Sequence, residues 1–524
     1  MAGAHIAATV ISVQGASLVA RLALDRVADV AALGVGDLVV IPCGRLVSVA
    51  VVDALRHGRR GDDETIAELQ LLGELVERQG AARFERGVSY HPLLDAPVLR
   101  ADQAQTRLVY AQPSASSARI GTLRRSAAVP AYVMIDALLG NHWAVLGTTG
   151  SGKSSAVTVL LNAIVDACPY AHVILLDPHG EYARAFEGRA ELLDPGNLEL
   201  PYWLMNAEES CAILAPSRHE RAYTEAAILR DAMLAARLGW AAGNRSTTGV
   251  VTVDSPTPYR MADLCSLIKD GMGALNKPEG AAPYRALLAR IEALRSDRRY
   301  AFMFNTLVVR DNMDAVLARL FRFPVSDRPM TIIDLSGMPS EIVDVVVSLL
   351  CRLIFEFGLW SCRETPTPLL LVCEEAHRYV PATQTTGFEP SRRAIDRIAK
   401  EGRKYGVSLG LVSQRPSEIS ASALSQCGTV FAFRMTNETD QSFVRNALPD
   451  GAAWLFRNLA ALGTGEAIVV GEGVTVPMQV RFDPLAADRQ PASRSPSFSA
   501  RWAVEDAGAE TVRDTVQRWR EQRR

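Results

Sequence analysis

The sequence predicts an α/β fold: a mainly parallel sheet covered by helices, with a small β-barrel before it and a helical insertion within it. Three observations predict this. From about residue 130 onward, short and strongly apolar runs recur: "HWAVLG", "HVILLD", "MTIIDLS", "PLLLVCEE", "SLGLVSQ" and "GTVFAFRM". Most are bounded by turn residues and several are separated by helical stretches, the pattern of strands buried on both faces. Residues 1 to about 60 have a different texture, with alternating apolar residues punctuated by Gly in "AHIAATVISVQG", "SLVARLAL" and "GVGDLVVIPCGRLVSVAVVDALR". That texture fits a small barrel. Residues from about 203 to 325 break the strand–helix rhythm with long helical stretches such as "HERAYTEAAILRDAMLAARLG" and "PYRALLARIEALRSDRRYAFMF".

Taken in order, the barrel region is assigned to residues 1–125. Within it "ETIAELQLLGELV" reads equally as helix or strand, because its charge spacing does not decide, and "HPLLDAP" marks a loop. The α/β core is assigned to 126–202 and 326–485, with the helical insertion at 203–325 and "STTGVVTVDSPTPYR" as a loop inside it. Residues 486–524 open with the Pro- and Ser-dense "DPLAADRQPASRSPSFSARW" segment, read as an extended arm. The chain then ends in a short helix carrying Val512, Val516 and Trp519 on one stripe, which docks either on its own chain or on a neighbour.

Composition narrows the classes. The 524 residues suffice for roughly two to four domains, and 48% apolar content supports sizeable cores. No apolar run reaches the roughly 18 residues of a membrane span, and the N-terminus lacks the basic region of a secretory signal. The eight cysteines are scattered, without a C-x-x-C pair or a Cys/His cluster, and read as reduced core thiols. A cytoplasmic protein is expected. The net charge of −2 excludes a generally cationic chain, so any nucleic-acid contact has to use local positive charge, such as the lining of a channel.

The chemistry begins at "VLGTTGSGKSS", which matches G-x-x-x-x-G-K-[ST] from Gly147 to Ser154, between a strand and a helix. Across Gly147, Thr148, Thr149, Gly150, Ser151, Gly152, Lys153, Ser154 and Ser155, backbone N–H groups are expected to cradle phosphate oxygens. Lys153 reaches the β- and γ-phosphates of ATP, and the Ser154 hydroxyl serves Mg²⁺. A P-loop also needs a strand that carries acids. Two strands qualify: "HVILLDPHGEY", ending in Asp177 with His179, Glu181 and Tyr182 beyond it, and "LLLVCEEAHRY", ending in Glu374 and Glu375. The second fits the paired-acid form of nucleic-acid motors, although two such acids can also simply cap a helix start.

"SLGLVSQ" places Gln414 at a strand end, where an amide senses the γ-phosphate. "PSRRAIDRIAKEGRKYG" aligns Arg393, Arg397 and Lys400 or Lys404 on one helical face. That face serves DNA phosphates, a neighbour's ATP, or only solvent. Arg403 closes the segment and is the candidate for the γ-phosphate of an adjacent subunit. The preceding "PATQTTGFEP" is a candidate pore loop.

Together these motifs, with "PYWLMNAEE", "IIDLSGMPSEIVD" and "TGEAIVVG", resemble the HerA-type ATPases of the HerA/FtsK group of hexameric P-loop DNA translocases, over most of residues 1–485. The resemblance implies a RecA-like core, a barrel of the HAS type and a homo-hexamer. ATP would lie at subunit interfaces and duplex DNA in the central pore. It assigns Glu374 to the metal shell, Glu375 to catalysis, Gln414 to sensing and Arg403 to the trans contact, with Arg434 second. One departure is Glu374, where many motors have Asp, so that the metal contact would run through water. Family members work beside a NurA-like nuclease in DNA end processing or beside an effector enzyme in anti-phage defence. The competing function is an ATP-gated ring scaffold that assembles and activates a defence effector.

Overall fold

The structure is a computed structural model. It describes residues 6–22, 33–44, 46–57, 64–78, 80–215, 221–244, 249–274, 278–304, 309–361, 367–383, 389–447, 455–492, 498–503 and 508–521. The chain divides into two compact units, Met1–Cys168 with Ser408–Leu485, and Pro169–Val407 with Ala486–Arg524.

The first unit opens with β1 (Ile6–Gln14), β2 (Ser17–Leu22), β3 (Leu38–Cys43), β4 (Leu46–His57), β5 (Thr65–Arg78), β6 (Ala81–Arg86) and β7 (Pro97–Arg100). Their order is β2-β1-β7-β3-β4-β5-β6, and a further pairing of β2 with β5 closes six of them into a barrel. The closure runs from Ser17 opposite Gln70 to Arg21 opposite Ile66. Alternation fills the interior with Ala8, Val10, Leu18, Ala20, Val39, Ile41, Ala50, Val52, Ala67 and Leu69. The ambiguous segment "ETIAELQLLGELV" is therefore strand β5: Ala67, Leu69 and Leu71 are buried at a period of two.

The chain continues through β8 (Ser117–Leu123), β9 (Ser126–Met134), β10 (Trp143–Leu146), β11 (Val173–Asp177), β12 (Ala190–Leu193), β13 (Met330–Asp334), β14 (Leu369–Cys373), β15 (Val407–Ser413), β16 (Thr429–Phe433), β17 (Glu466–Gly471) and β18 (Met478–Phe482). In the first unit β15, β10 and β16 run parallel. An antiparallel continuation through β17, β18, β8 and β9 follows. Thus β8 pairs with β9 and β18, not with the barrel strands. In the second unit β12, β13, β11 and β14 form a parallel array. Every residue of β10, β11, β14, β15 and β16 is buried, as continuous apolar runs require.

The segment between β12 and β13 is helical, with Ala207–Leu214, Arg221–Asn244, Met261–Gly273, Ala282–Ser296 and Met313–Phe321. Asn206 and Glu209 form a capping box at the first of these. Glu209 also receives Arg352 at 2.9 Å from the long helix Ser340–Trp360. The terminal helix Ala509–Glu521 leaves Val512 and Trp519 exposed. Among the described residues no helix is long and apolar enough to cross a membrane.

Candidate functional site

Strand β10, buried throughout, delivers the chain to Gly147, and the helix Lys153–Ala167 starts six residues later. Backbone geometry explains the glycines. A Cβ on Gly147 would stand 2.5 Å from the Phe433 Cβ. At Gly152 φ is +102°, and a Cβ would meet the Gly465 backbone nitrogen at 2.8 Å. Only glycine fits these two positions. The helix has Gly152 as its N-cap, which has no side chain to cap the helix start, as an anion-binding helix end requires.

The loop is pinned from several sides. Thr148 donates both its N–H and its hydroxyl to the Arg434 carbonyl, each at 3.0 Å. Ser151 Oγ donates to Thr148 O at 2.7 Å, and Gly465 N–H donates to Ser151 O at 2.9 Å. Lys153 Nζ donates to Thr148 O at 3.0 Å, folded back over the loop. The Thr149 hydroxyl donates to Gln414 Oε1. Strand β15 thus brings Gln414 against the P-loop, as its place in the sequence suggests. The supports from the Arg434 carbonyl and Gly465 were not read from the sequence. Backbone contacts carry no residue signature, although Gly465 lies within "TGEAIVVG".

The acids lie in the second unit, at the ends of the parallel strands β11 and β14. Asp177 is fully buried and accepts N–H bonds from His179 (3.2 Å), Gly180 (2.8 Å) and Tyr182 (2.9 Å). Burial pushes its carboxyl above the usual carboxylate range, against the opposing pull of backbone N–H groups. Its oxygens organise the turn "DPHGEY". From that turn Tyr182 Oη donates to Glu374 Oε2 at 2.8 Å.

Glu374 and Glu375 are both buried. Glu375 takes the left-handed conformation, φ +53° and ψ +44°, one of the few non-glycine residues with positive φ among the described residues. His179 Nε2 lies 3.6 Å from Glu375 Oε1, and His377 Nδ1 lies 3.2 Å from Oε2. Oε2 nevertheless has no aligned hydrogen-bond donor. His377 was missed at the sequence level, where it was only one letter of "EEAHRY".

The basic face on helix Glu389–Glu401 is partly spent. Arg393 pairs with Glu208 at 3.0 Å and Glu389 at 3.1 Å. The Arg397 guanidinium lies 4.2 Å from the centre of the Phe355 ring. Arg403, on the turn Gly402–Tyr405, is exposed and has no ion-pair partner among the described residues. Half of the candidate pore loop, 384–388, lies outside the described residues.

These residues suit a phosphate ligand. The glycine cradle, the open helix start and the buried Lys153 amine match a polyphosphate. Ser154, in the first helical turn, adds a hydroxyl oxygen of the kind that a Mg²⁺ ion accompanying a polyphosphate takes. Among the described residues no group of three or more His, Cys, Asp and Glu side chains gathers as a cage for a metal of its own.

Residues 118–354 match the family model described as Helicase HerA, central domain. The chain is 27% identical to the DNA double-strand break repair helicase HerA of Pyrococcus furiosus, over 80% of this chain and 78% of that protein. It is 26% identical to the protein of the same description from Saccharolobus solfataricus, over 75% and 74%. The structure of VirB4 of Thermoanaerobacter pseudethanolicus covers 72% of this chain with 98% of its own length, at a TM-score of 0.50 and 15% identity, a likeness of fold. A P-loop geometry complete in its glycines, an acid pair at a buried strand end and relatives aligned along three-quarters of the chain lead to one conclusion: this is an ATP-hydrolysing P-loop enzyme, similar to the HerA helicases.

Proposed function

We propose that the chain is an ATP-driven translocase of duplex DNA. It works as a homo-hexamer, with DNA in the central pore and a nuclease or other effector protein beside it. The observation that carries the proposal is the uncapped helix start behind the Gly147–Gly152 cradle, with Lys153 above it and Gln414 on its flank. The names of the two HerA relatives support DNA as the substrate acted upon.

In this reading the amides of Gly147–Ser155 and the Lys153 amine hold the β- and γ-phosphates of ATP. The Ser154 hydroxyl and, through water, Glu374 hold Mg²⁺, which when bound neutralises phosphate charge. Glu375 orients a water and accepts its proton as the water oxygen bonds to the γ-phosphorus and the bridging oxygen leaves with ADP. Gln414, held by Thr149, reports the state of the γ-phosphate to the P-loop. Arg403 reaches the ATP of the neighbouring subunit. The domain division into barrel, RecA-like core, insertion and arm belongs to the same proposal.

The test is ATP turnover with and without duplex DNA. DNA should raise the rate severalfold, and Lys153→Ala should reduce it by at least about a hundredfold, the scale on which electrostatic stabilisation acts. Normal turnover in Lys153→Ala would remove the P-loop from the chemistry. Turnover indifferent to DNA, with an effector activated by the ATP-bound ring, would favour the scaffold reading instead.

A further inference from the structure

We propose that His179 and His377 form a clamp that positions the Glu375 carboxylate for hydrolysis. This rests on reading Glu375 as the residue that activates water. Each imidazole stands against one carboxylate oxygen: His179 Nε2 at 3.6 Å from Oε1, His377 Nδ1 at 3.2 Å from Oε2. The two histidines come from separate segments. His179 sits on the turn after β11, and His377 on the short turn Ala376–Arg378 after β14.

The clamp has a rigid base. Asp177 fixes the first turn through three backbone N–H groups, the His179 N–H among them. The same turn sends Tyr182 to Glu374 at 2.8 Å. Both glutamates are therefore indexed to one buried anchor. A glutamate on a left-handed backbone, with three rotatable side-chain bonds, has no intrinsic reason to hold one direction. Two flanking imidazoles supply one. Neither histidine contact uses up the acid, because each carboxylate oxygen has two lone pairs and the imidazole beside it engages at most one. His377 is largely covered and His179 about half exposed, so a severe packing defect is expected from neither truncation.

Removing the clamp should act on the chemical step and leave binding alone, since a small misplacement of a reacting group costs up to a hundredfold in rate. The experiment measures kcat, KM for ATP and ADP affinity for the His179→Ala/His377→Ala double variant. It repeats the measurement under single-turnover conditions in a Glu375→Gln background. The expected result is kcat lower by about tenfold to a hundredfold, with KM and ADP affinity within about twofold. His179→Gln with His377→Asn, which puts a polar amide of similar reach at each place, should recover most of the rate. In the Glu375→Gln background the histidine changes should cost nothing further.

An unchanged kcat, no recovery with the amides, or the same fold loss in both backgrounds would overturn the clamp. Normal turnover by Glu375→Gln alone is a different result, and it would overturn the assignment of Glu375 itself.

Discussion

At the scale of single residues, the two adjacent acids are treated differently by their surroundings. Glu375 carries a left-handed backbone, which costs a non-glycine residue about 1–3 kcal/mol and tends to persist where surrounding structure enforces it. Glu374 is held by the buried Tyr182 hydroxyl. Tyr182→Phe removes one O–H and little volume. It leaves a carboxylate oxygen without that donor, at a cost of about 1–3 kcal/mol in stability. On the reading of Glu374 as an outer metal ligand, the Mg²⁺ concentration for half-maximal ATPase should rise severalfold while ADP affinity without the metal stays the same. Thermal melting together with a Mg²⁺ titration of turnover separates the two effects. An unchanged Mg²⁺ requirement would detach Glu374 from the metal. Adjacency in "LLLVCEEAHRY" already suggested two jobs for two acids. The sequence could not say that a turn some 190 residues earlier would hold both.

At the scale of elements, the P-loop is a strand end and a helix start joined by a backbone that tolerates almost no added atoms. Gly152→Ala places a methyl against Gly465 N at 2.8 Å and Gly465 Cα at 3.0 Å, both backbone, at φ +102°. Relief means displacing either the β17 approach or the helix start. The expected outcome is nucleotide affinity lower by more than about tenfold and a stability loss of about 1–3 kcal/mol, read by fluorescent-nucleotide titration and chemical denaturation. Retained affinity would mean that the cradle adapts. The parallel strands were legible because each is a short apolar run buried on both faces, and a run such as "LLLVC" has little alternative. Strand β5 was not legible, because the alternation that Glu68 and Gln70 keep up breaks halfway along, where Leu72 follows Leu71 and Glu74 is buried beside Gly73 and Leu75. Strand β8 gave no local sign of its partner, since β18 comes some 360 residues later and pairing across such a separation leaves no mark in either segment. For the same reason the P-loop residues were readable from their spacing, while the Arg434 carbonyl and the His377 imidazole that support the site were not.

At the scale of the whole molecule, a net charge of −2 means that the proposed translocase has to draw its DNA contacts, and the charge that completes its catalytic site, from local cations. Pairing of Arg393 with Glu208 and Glu389, and stacking of Arg397 on Phe355, leave Lys400, Arg403 and Lys404 as the exposed cations of that segment. Arg403 is the one that the ring reading assigns to a neighbour's ATP. A group that acts in trans is missing from its own site and present in the next one. Two different defects can therefore repair each other at a shared interface. Arg403→Ala subunits keep an intact P-loop, and Lys153→Ala subunits keep an intact Arg403. Each alone should hydrolyse ATP at no more than about one-hundredth of the normal rate, given the size of arginine effects on phosphoryl transfer. Mixed in equal amounts with free exchange, about a quarter of head-to-tail interfaces combine the working P-loop of one with the working arginine of the other. ATPase should then recover to a comparable fraction and fall off on either side of equal mixing. A cis arginine gives no recovery at any ratio, because no subunit then carries both intact groups. If Arg403→Ala alone turns over normally, the same mixing applied to Arg434→Ala tests the second arginine, whose carbonyl already holds Thr148 in the P-loop.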